Sequence, residues 1–228
     1  RNRAFLFALP LLGLGLGCSF VRGAWLGFAV GFVFLAGSHF KALLFALPIA
    51  LVALLFLPTD AASSAFSSTS TSQRTANWSE NVHQFIVHPF GAGIGTAGAA
   101  AQKSSQLTAA PAAYYEPDNY YFLITYELGP LGTWCHILLL VGLFTAMRRA
   151  ARSRAGPDSA LASGVAALVL ALAASSAMAS VFEIYPVTQY LWIAVGIVAT
   201  VTAETTATTA EPEGATHPAS SALLTTAP

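Results

Sequence analysis

Apolar residues in this chain come in unbroken runs rather than at alternate positions. The runs cover about residues 4–20, 24–38, 42–58, 120–147, 160–181 and 190–203. Wound as helix at ~1.5 Å per residue, runs approaching ~20 residues match the ~30 Å hydrocarbon core of a bilayer. Strict alternation, the mark of a membrane β-barrel, is not the pattern here. The sequence therefore predicts an all-α integral membrane protein with about six transmembrane helices. Three spans fall in residues 1–58 and three in 119–203, separated by one large polar loop over 59–118. The tail, 204–228, is rich in Thr, Ala and Pro, and reads as disordered because it lacks the bulk to build a core.

The loop has its own pattern. "TDAASSAFSSTSTSQ" and "GTAGAAAQKSSQLTAAPAA" are strings of small and polar residues and read as flexible. Between them Trp78, Val82, Phe85 and Ile86 recur at i, i+4, i+7 and i+8, one face of a helix. That spacing predicts a short amphipathic helix on the membrane surface, stopped by Pro89 and Gly91. Tyr114, Tyr115, Tyr120 and Tyr121 gather where the chain re-enters the apolar phase, as an interfacial aromatic belt does.

Composition sharpens this reading. Of 228 residues, 55% are hydrophobic and only 9% charged, and the net charge is zero. Soluble domains carry about a quarter charged residues, so the membrane class stands, and a neutral chain offers no general attraction to nucleic acid. Counting Lys and Arg orients the bundle. With Arg1, Arg3, Lys41, Arg148, Arg149, Arg152 and Arg154 on the cytoplasmic side, only Arg22, Arg74 and Lys103 lie outside, which puts the loop on the outer face and the tail in the cytoplasm. Cys18 and Cys135 both sit in apolar runs and read as packing residues rather than a disulfide or zinc framework. The chain opens Arg-Asn-Arg without a methionine, and its first run has no small-residue cleavage site. It reads as a span, not a signal peptide, in a chain truncated at its N-terminus.

Ionisable residues in or beside a span are the costly ones, ~2.5–3.5 kcal/mol at mid-bilayer on insertion scales. Four qualify: Arg22, Asp118, Glu127 and Glu183. Arg22 opens the second span, either snorkelling to the interface or clamping an anion with its planar fork of donors. Arg74 leads into the amphipathic helix, and two fixed cations on one face suit a diphosphate. Asp118, with Asn119, stands at the mouth of the fourth span, as a helix N-cap or as a partly desolvated proton acceptor. Glu127 lies roughly 13 Å further along that helix and is expected to turn inward to an arginine or another polar group. Pro130, between glycines, is expected to kink it. No metal site is expected, since Glu80 and His83 form a single Glu-x-x-His and His83 and His88 are not spaced i, i+4. His39 reads as a cytoplasmic anchor and His136 as a packing residue. "GAGIGT" follows no strand and lacks a Gly-Lys-Ser/Thr ending, so it reads as a turn rather than a nucleotide loop.

Taken in order, "SFVRGAWLGFAVGFVFL", "SQRTANWSENVHQFIVHPFGAGIGT" and "DNYYFLITYELGPLG" resemble the bacterial O-antigen ligase and O-antigen polymerase superfamily. The resemblance rests on Arg22 in an Arg-Gly-Ala start; on Arg74 and Trp78; on His88 and Pro89 followed by Gly91 and Gly93; on Asp118 and Asn119; and on Glu127 in Glu-x-Gly-x-x-Gly. It implies a GT-C-like, multi-pass enzyme of the bacterial cytoplasmic (inner) membrane with its active site on the outer face. Such an enzyme moves glycan, with inversion and without metal or other cofactor, from a polyprenyl-pyrophosphate carrier to a hydroxyl of a glycan, lipid or protein acceptor. By that resemblance Arg22 and Arg74 stabilise the departing pyrophosphate, and Asp118 orients or deprotonates the acceptor. His88, Asn119, Glu127, Trp78, Gly91 and Gly93 shape the substrate site, and membrane lipid surrounds it. The family commonly has histidine where Asp118 stands, and ten or more spans, so an upstream half is expected beyond this chain, which alone would be inactive. The rival readings are a multi-span transporter of a lipid-linked or small polar substrate, which would spread polar residues along its spans, and a non-enzymatic scaffold.

Overall fold

A computed structural model of the chain describes residues 4–19, 21–39, 81–107, 114–117, 119–153 and 155–210. The described residues are helical apart from short connections and one isolated bridge between Ala97 and Tyr115. The helices are α1 (Ala4–Cys18), α2 (Arg22–His39), α3 (81–87), α4 (Gly98–Leu107), α5 (Tyr120–Arg152), α6 (Gly156–Ser175) and α7 (Tyr185–Ala210), with a 3₁₀ turn at Val181–Glu183 before α7.

Helix α6 lies at the centre because its sequence lets neighbours come close. It is built largely of Ala, Ser and Gly with a few Val and Leu. On one side it meets a glycine stripe of α2, Gly23, Gly27 and Gly31, spaced every fourth residue. A Cβ on Gly27 would lie 2.6 Å from the Ala171 carbonyl oxygen, and one on Gly31 would lie 3.2 Å from that of Ala167. Lipid tails are as apolar as leucine, so such helices associate through close packing and interhelical hydrogen bonds rather than a hydrophobic drive. Ser175 supplies one of those bonds, its Oγ donating to the Gly23 carbonyl at 2.8 Å. On the other side of α6, Met147 and Ala150 of α5 pack with Ala162, Val165 and Ala166 of α6 and Val198 of α7. Leu140, Val169, Leu172 and Leu191 continue the same three-helix seam.

Helix α1 is tied to α2 by a short corner. Leu16 would lose its helical partner at the chain turn, and its carbonyl instead accepts from Ser19 Oγ at 2.7 Å and from the Trp25 indole at 2.9 Å. Helices α5 and α6 are each long and apolar enough to cross a membrane, with shorter apolar stretches over Arg22–Ser38 and Tyr185–Val201. The expected third span, 42–58, lies outside the described residues, as does "TDAASSAFSSTSTSQ".

Two expectations change. Residues of "GTAGAAAQKSSQLTAAPAA" expected to be flexible form α4, since Ala, Gln and Lys favour helix and its first turn is held from outside. Residues 204–210, expected in a disordered tail, extend α7, because adding a turn to a formed helix is far easier than starting one. Residues 211–228 lie outside the described residues. The tyrosines of the expected belt are half-buried and have partners. Tyr121 donates to the Ala173 carbonyl at 2.7 Å, Tyr120 stacks on Phe182 at 5.1 Å, and the Tyr115 hydroxyl donates to Asn81 Oδ1. The Tyr114 hydroxyl instead donates to Glu116 Oε2 at 3.5 Å on the exposed side.

Candidate functional site

The residues of "YELGPLG" break α5 in a defined way. Pro130 has no N–H, so the Tyr126 carbonyl loses its i+4 donor. Gly129 sits at φ 70° and ψ −176°, out of helical geometry, and the Glu127 carbonyl is freed as well. Two orphaned carbonyls in a largely apolar helix need donors. The turn from "HPFGAGIGT" provides them: Ala92 N–H donates to the Tyr126 carbonyl at 2.7 Å and Gly93 N–H to that of Glu127 at 3.0 Å.

The Glu127 side chain completes the join. Its Oε1 accepts from Gly95 N–H at 2.9 Å and from Ala97 N–H at 3.3 Å, so one residue holds three amides of the turn. Glu127 does turn to polar partners, as its sequence position suggests, and these are backbone amides 30 and 32 positions away rather than an arginine. The contact is too close for side chains. A Cβ on Gly91 would run into the Glu127 carbonyl oxygen and lie 2.7 Å from Gly129 N, and one on Gly129 would lie 2.8 Å from the Phe90 carbonyl carbon. Both glycines have positive φ, 90° and 70°, where other residues are strained.

Aromatic rings wall the turn. His88, whose N–H closes α3 on the Gln84 carbonyl at 2.9 Å, meets Tyr126 edge-on at 5.5 Å, and Tyr115 lies 4.5 Å from the same ring. Phe85 of α3 packs on Phe122 at 5.7 Å, while Val82 and Ile86 of the same expected face stay exposed. Gly98 N–H donates to the Tyr115 carbonyl at 3.0 Å, beside the isolated bridge between Ala97 and Tyr115.

A second carboxylate holds the far side of the turn. Glu183 Oε1 accepts from Ala99 N–H at 3.2 Å, at the first turn of α4, where a helix leaves its amides unpaired. Burial pushes the Glu183 carboxyl above its ordinary value of 4.5. The charges of Glu127 and Glu116 push the same way, and hydrogen bonds from Ala99 and Ser180 pull it down. A carboxyl raised in the folded state takes up a proton more readily there than in the unfolded chain. Its ionisation therefore removes stability as pH climbs from about 4.5 through the raised value. Thermal unfolding of the purified protein between pH 4 and 8 is expected to show this decline, and Glu183→Gln is expected to flatten it. An unchanged slope in the variant would assign the pH dependence to other groups.

The residues singled out by sequence fall as follows. Asn119 is the N-cap of α5: its Oδ1 accepts from Phe122 N–H at 2.9 Å. Tyr120 N–H then donates to the Ser176 carbonyl at 3.0 Å, which joins the head of α5 to the end of α6. Arg22 heads α2 at the same end, next to Gly23, which packs against Ser175 and Met178. Arg22, His88, Gly91, Gly93, Asn119 and Glu127 are thus gathered at one end of the bundle. The Gly91 and Gly93 amides are spent inside the turn, on the His88 and Glu127 carbonyls, so these glycines shape the site rather than offer donors to it. Arg74, Trp78 and Asp118 lie outside the described residues. Glu183 stood out in the sequence as an acid at the edge of a span, but its partner Ala99 is 84 positions away and nothing local pointed to it.

The curated proteins and the solved structures contain no match to this chain. A family model described as O-antigen ligase matches residues 6–137, which includes most of α1, all of α2, the whole Gly-rich turn and the broken part of α5. That match covers more than half of the 228 residues and brackets both partners of the interlock, so the chain belongs to the O-antigen ligase family of membrane proteins that process glycans.

Proposed function

We propose that this protein is a metal-independent, inverting glycosyltransferase, transferring or polymerising glycan from a polyprenyl-pyrophosphate carrier onto an acceptor hydroxyl. In this reading the chain contributes six spans to a GT-C-like enzyme of the bacterial cytoplasmic membrane, with the 59–118 loop on the outer face and the tail inside. The observation that carries the reading is the interlock of the Gly-rich turn with the break at Gly129 and Pro130. It fixes the turn against α5, at the end of the bundle where α2 also begins. In this reading the guanidinium groups of Arg22, at the head of α2, and of Arg74 stabilise the charge that develops on a departing pyrophosphate. Asp118, one residue before the α5 cap, takes the acceptor proton or holds the hydroxyl for attack. The apolar helix faces below accommodate the lipid.

The test is glycan transfer by the intact protein in membranes supplied with polyprenyl-pyrophosphate oligosaccharide. Product is expected in the presence of EDTA as in its absence, with the anomeric configuration inverted relative to the donor. Product length then separates polymerisation from single transfer. Loss of activity in EDTA, or retention of configuration, would remove the proposed chemistry. Failure to form product with any acceptor tried would favour a transport role.

A further inference from the structure

At the end of the bundle away from the Gly-rich turn, α2, α5 and α6 leave a cavity of about 340 Å³. Along α5 this place is roughly 30 Å from Glu127 at 1.5 Å per residue, close to one hydrocarbon core, so it lies at the opposite membrane–water boundary. Its wall carries the guanidinium groups of Arg148 and Arg152, one helical turn apart on α5, with hydroxyls from Ser38 and Ser163. The described residues that line it include no carboxylate. Phe34 and Ala151 make the rest of the wall apolar.

Arg148 is not placed as a merely snorkelling side chain. Its guanidinium carbon lies 5.3 Å from the centre of the Phe34 ring and 5.9 Å from that of Phe144, and the two rings meet edge to face at 5.4 Å. Stacking on two rings fixes the planar group and lowers the cost of ordering it around a ligand. Two cations one turn apart, with hydroxyls beside them, match the charge and acceptor oxygens of a phosphate ester. The apolar part of the wall, between helices that cross the membrane, matches the glycerol and first acyl carbons attached to one.

We propose that this cavity binds the phosphate headgroup of an anionic membrane lipid, in the cytoplasmic leaflet under the orientation set by the Lys and Arg count. The site is independent of glycan transfer and stands whether or not that reading does.

The test is native mass spectrometry of the intact protein, titrated in detergent with phosphatidylglycerol, phosphatidylcholine and, in a separate arm, glycerol 3-phosphate. Wild type is expected to prefer phosphatidylglycerol over phosphatidylcholine by roughly fivefold or more. Arg148→Gln and Arg152→Gln are expected to bring that ratio close to one. Arg149→Gln, which removes the same charge from an exposed neighbouring position, is expected to keep it. No preference in wild type, or equal loss in all three variants, overturns the site, the second outcome reducing it to the general charge of this end. Competition by glycerol 3-phosphate at the lipid's own concentrations would overturn the lipid in favour of a free phosphate ester.

Discussion

Glu127→Ala is expected to lower glycan transfer by about a hundredfold or more while leaving the protein in the membrane. The carboxylate holds two amides of the Gly-rich turn, at Gly95 and Ala97. Bonds of this charge-assisted kind are the stronger ones, and losing the acceptor leaves half-buried donors without a partner. A turn displaced by ~1 Å is enough to cost about 10²-fold in a reaction that depends on alignment. Gly91→Val is expected to act in the same direction from the other side, because its side chain would meet the Glu127 carbonyl oxygen and Gly129 N at a φ of 90°. Glu127→Gln retains an acceptor oxygen and is expected to recover most of the activity. Hydrogen exchange read by mass spectrometry over residues 92–97 reports the cause directly: exchange should quicken in Glu127→Ala and Gly91→Val and stay slow in Glu127→Gln. Full activity in Glu127→Ala with fast exchange would show that the turn does not position the reaction.

Asp118→Ala and Arg74→Ala are expected to have effects at least as large, for chemical rather than architectural reasons. A general base contributes ~10²–10⁴-fold, and a fixed donor to a developing anion ~10²–10³-fold. Steady-state transfer by the intact protein, at matched expression, is the measurement. The two variants are expected to lower kcat while exchange at residues 92–97 stays as in wild type, which separates them from the latch variants. Asp118→Asn tells base from cap, since asparagine caps a helix as well as aspartate does but accepts no proton. Because Asn119 already caps α5 through its Oδ1, Asp118→Asn is expected to be as inactive as Asp118→Ala. Near-normal activity in Asp118→Asn would leave the base to another group.

Much of this was written in local pattern, and the reasons for the rest are physical. Long apolar runs are a property of neighbours in sequence, so α1, α2, α5, α6 and α7 fall within or overlap the stretches that hydropathy marks out. The break at Pro130 was equally local, because the missing N–H belongs to the residue itself. What Glu127 binds was not local: its partners are main-chain amides, which carry no residue-type signature, brought close by a turn 30 positions away. The same is true of Glu183 and Ala99. Helix α4 was hidden for another reason. "GAAAQKSSQL" mixes helix-favouring Ala, Gln and Lys with Gly and Ser, and the acceptor of its Ala99 amide, Glu183, lies 84 positions away. The Gly23, Gly27 and Gly31 stripe was not among the sequence readings, since small residues at every fourth position carry no sign of the helix they meet.

The borrowed amides also bear on how such a protein is able to change. Residues 92–97 and 126–129 hold each other, the first donating amides to two carbonyls and a carboxylate of the second. The two stretches form one unit of inheritance split by the intervening chain. A recombination joint placed between Leu107 and Tyr114 would separate them, bringing together a turn and a broken helix of different descent. Exchange of either stretch alone would meet a mismatched partner, so variation in what the protein acts on is more easily tolerated outside this pair than within it.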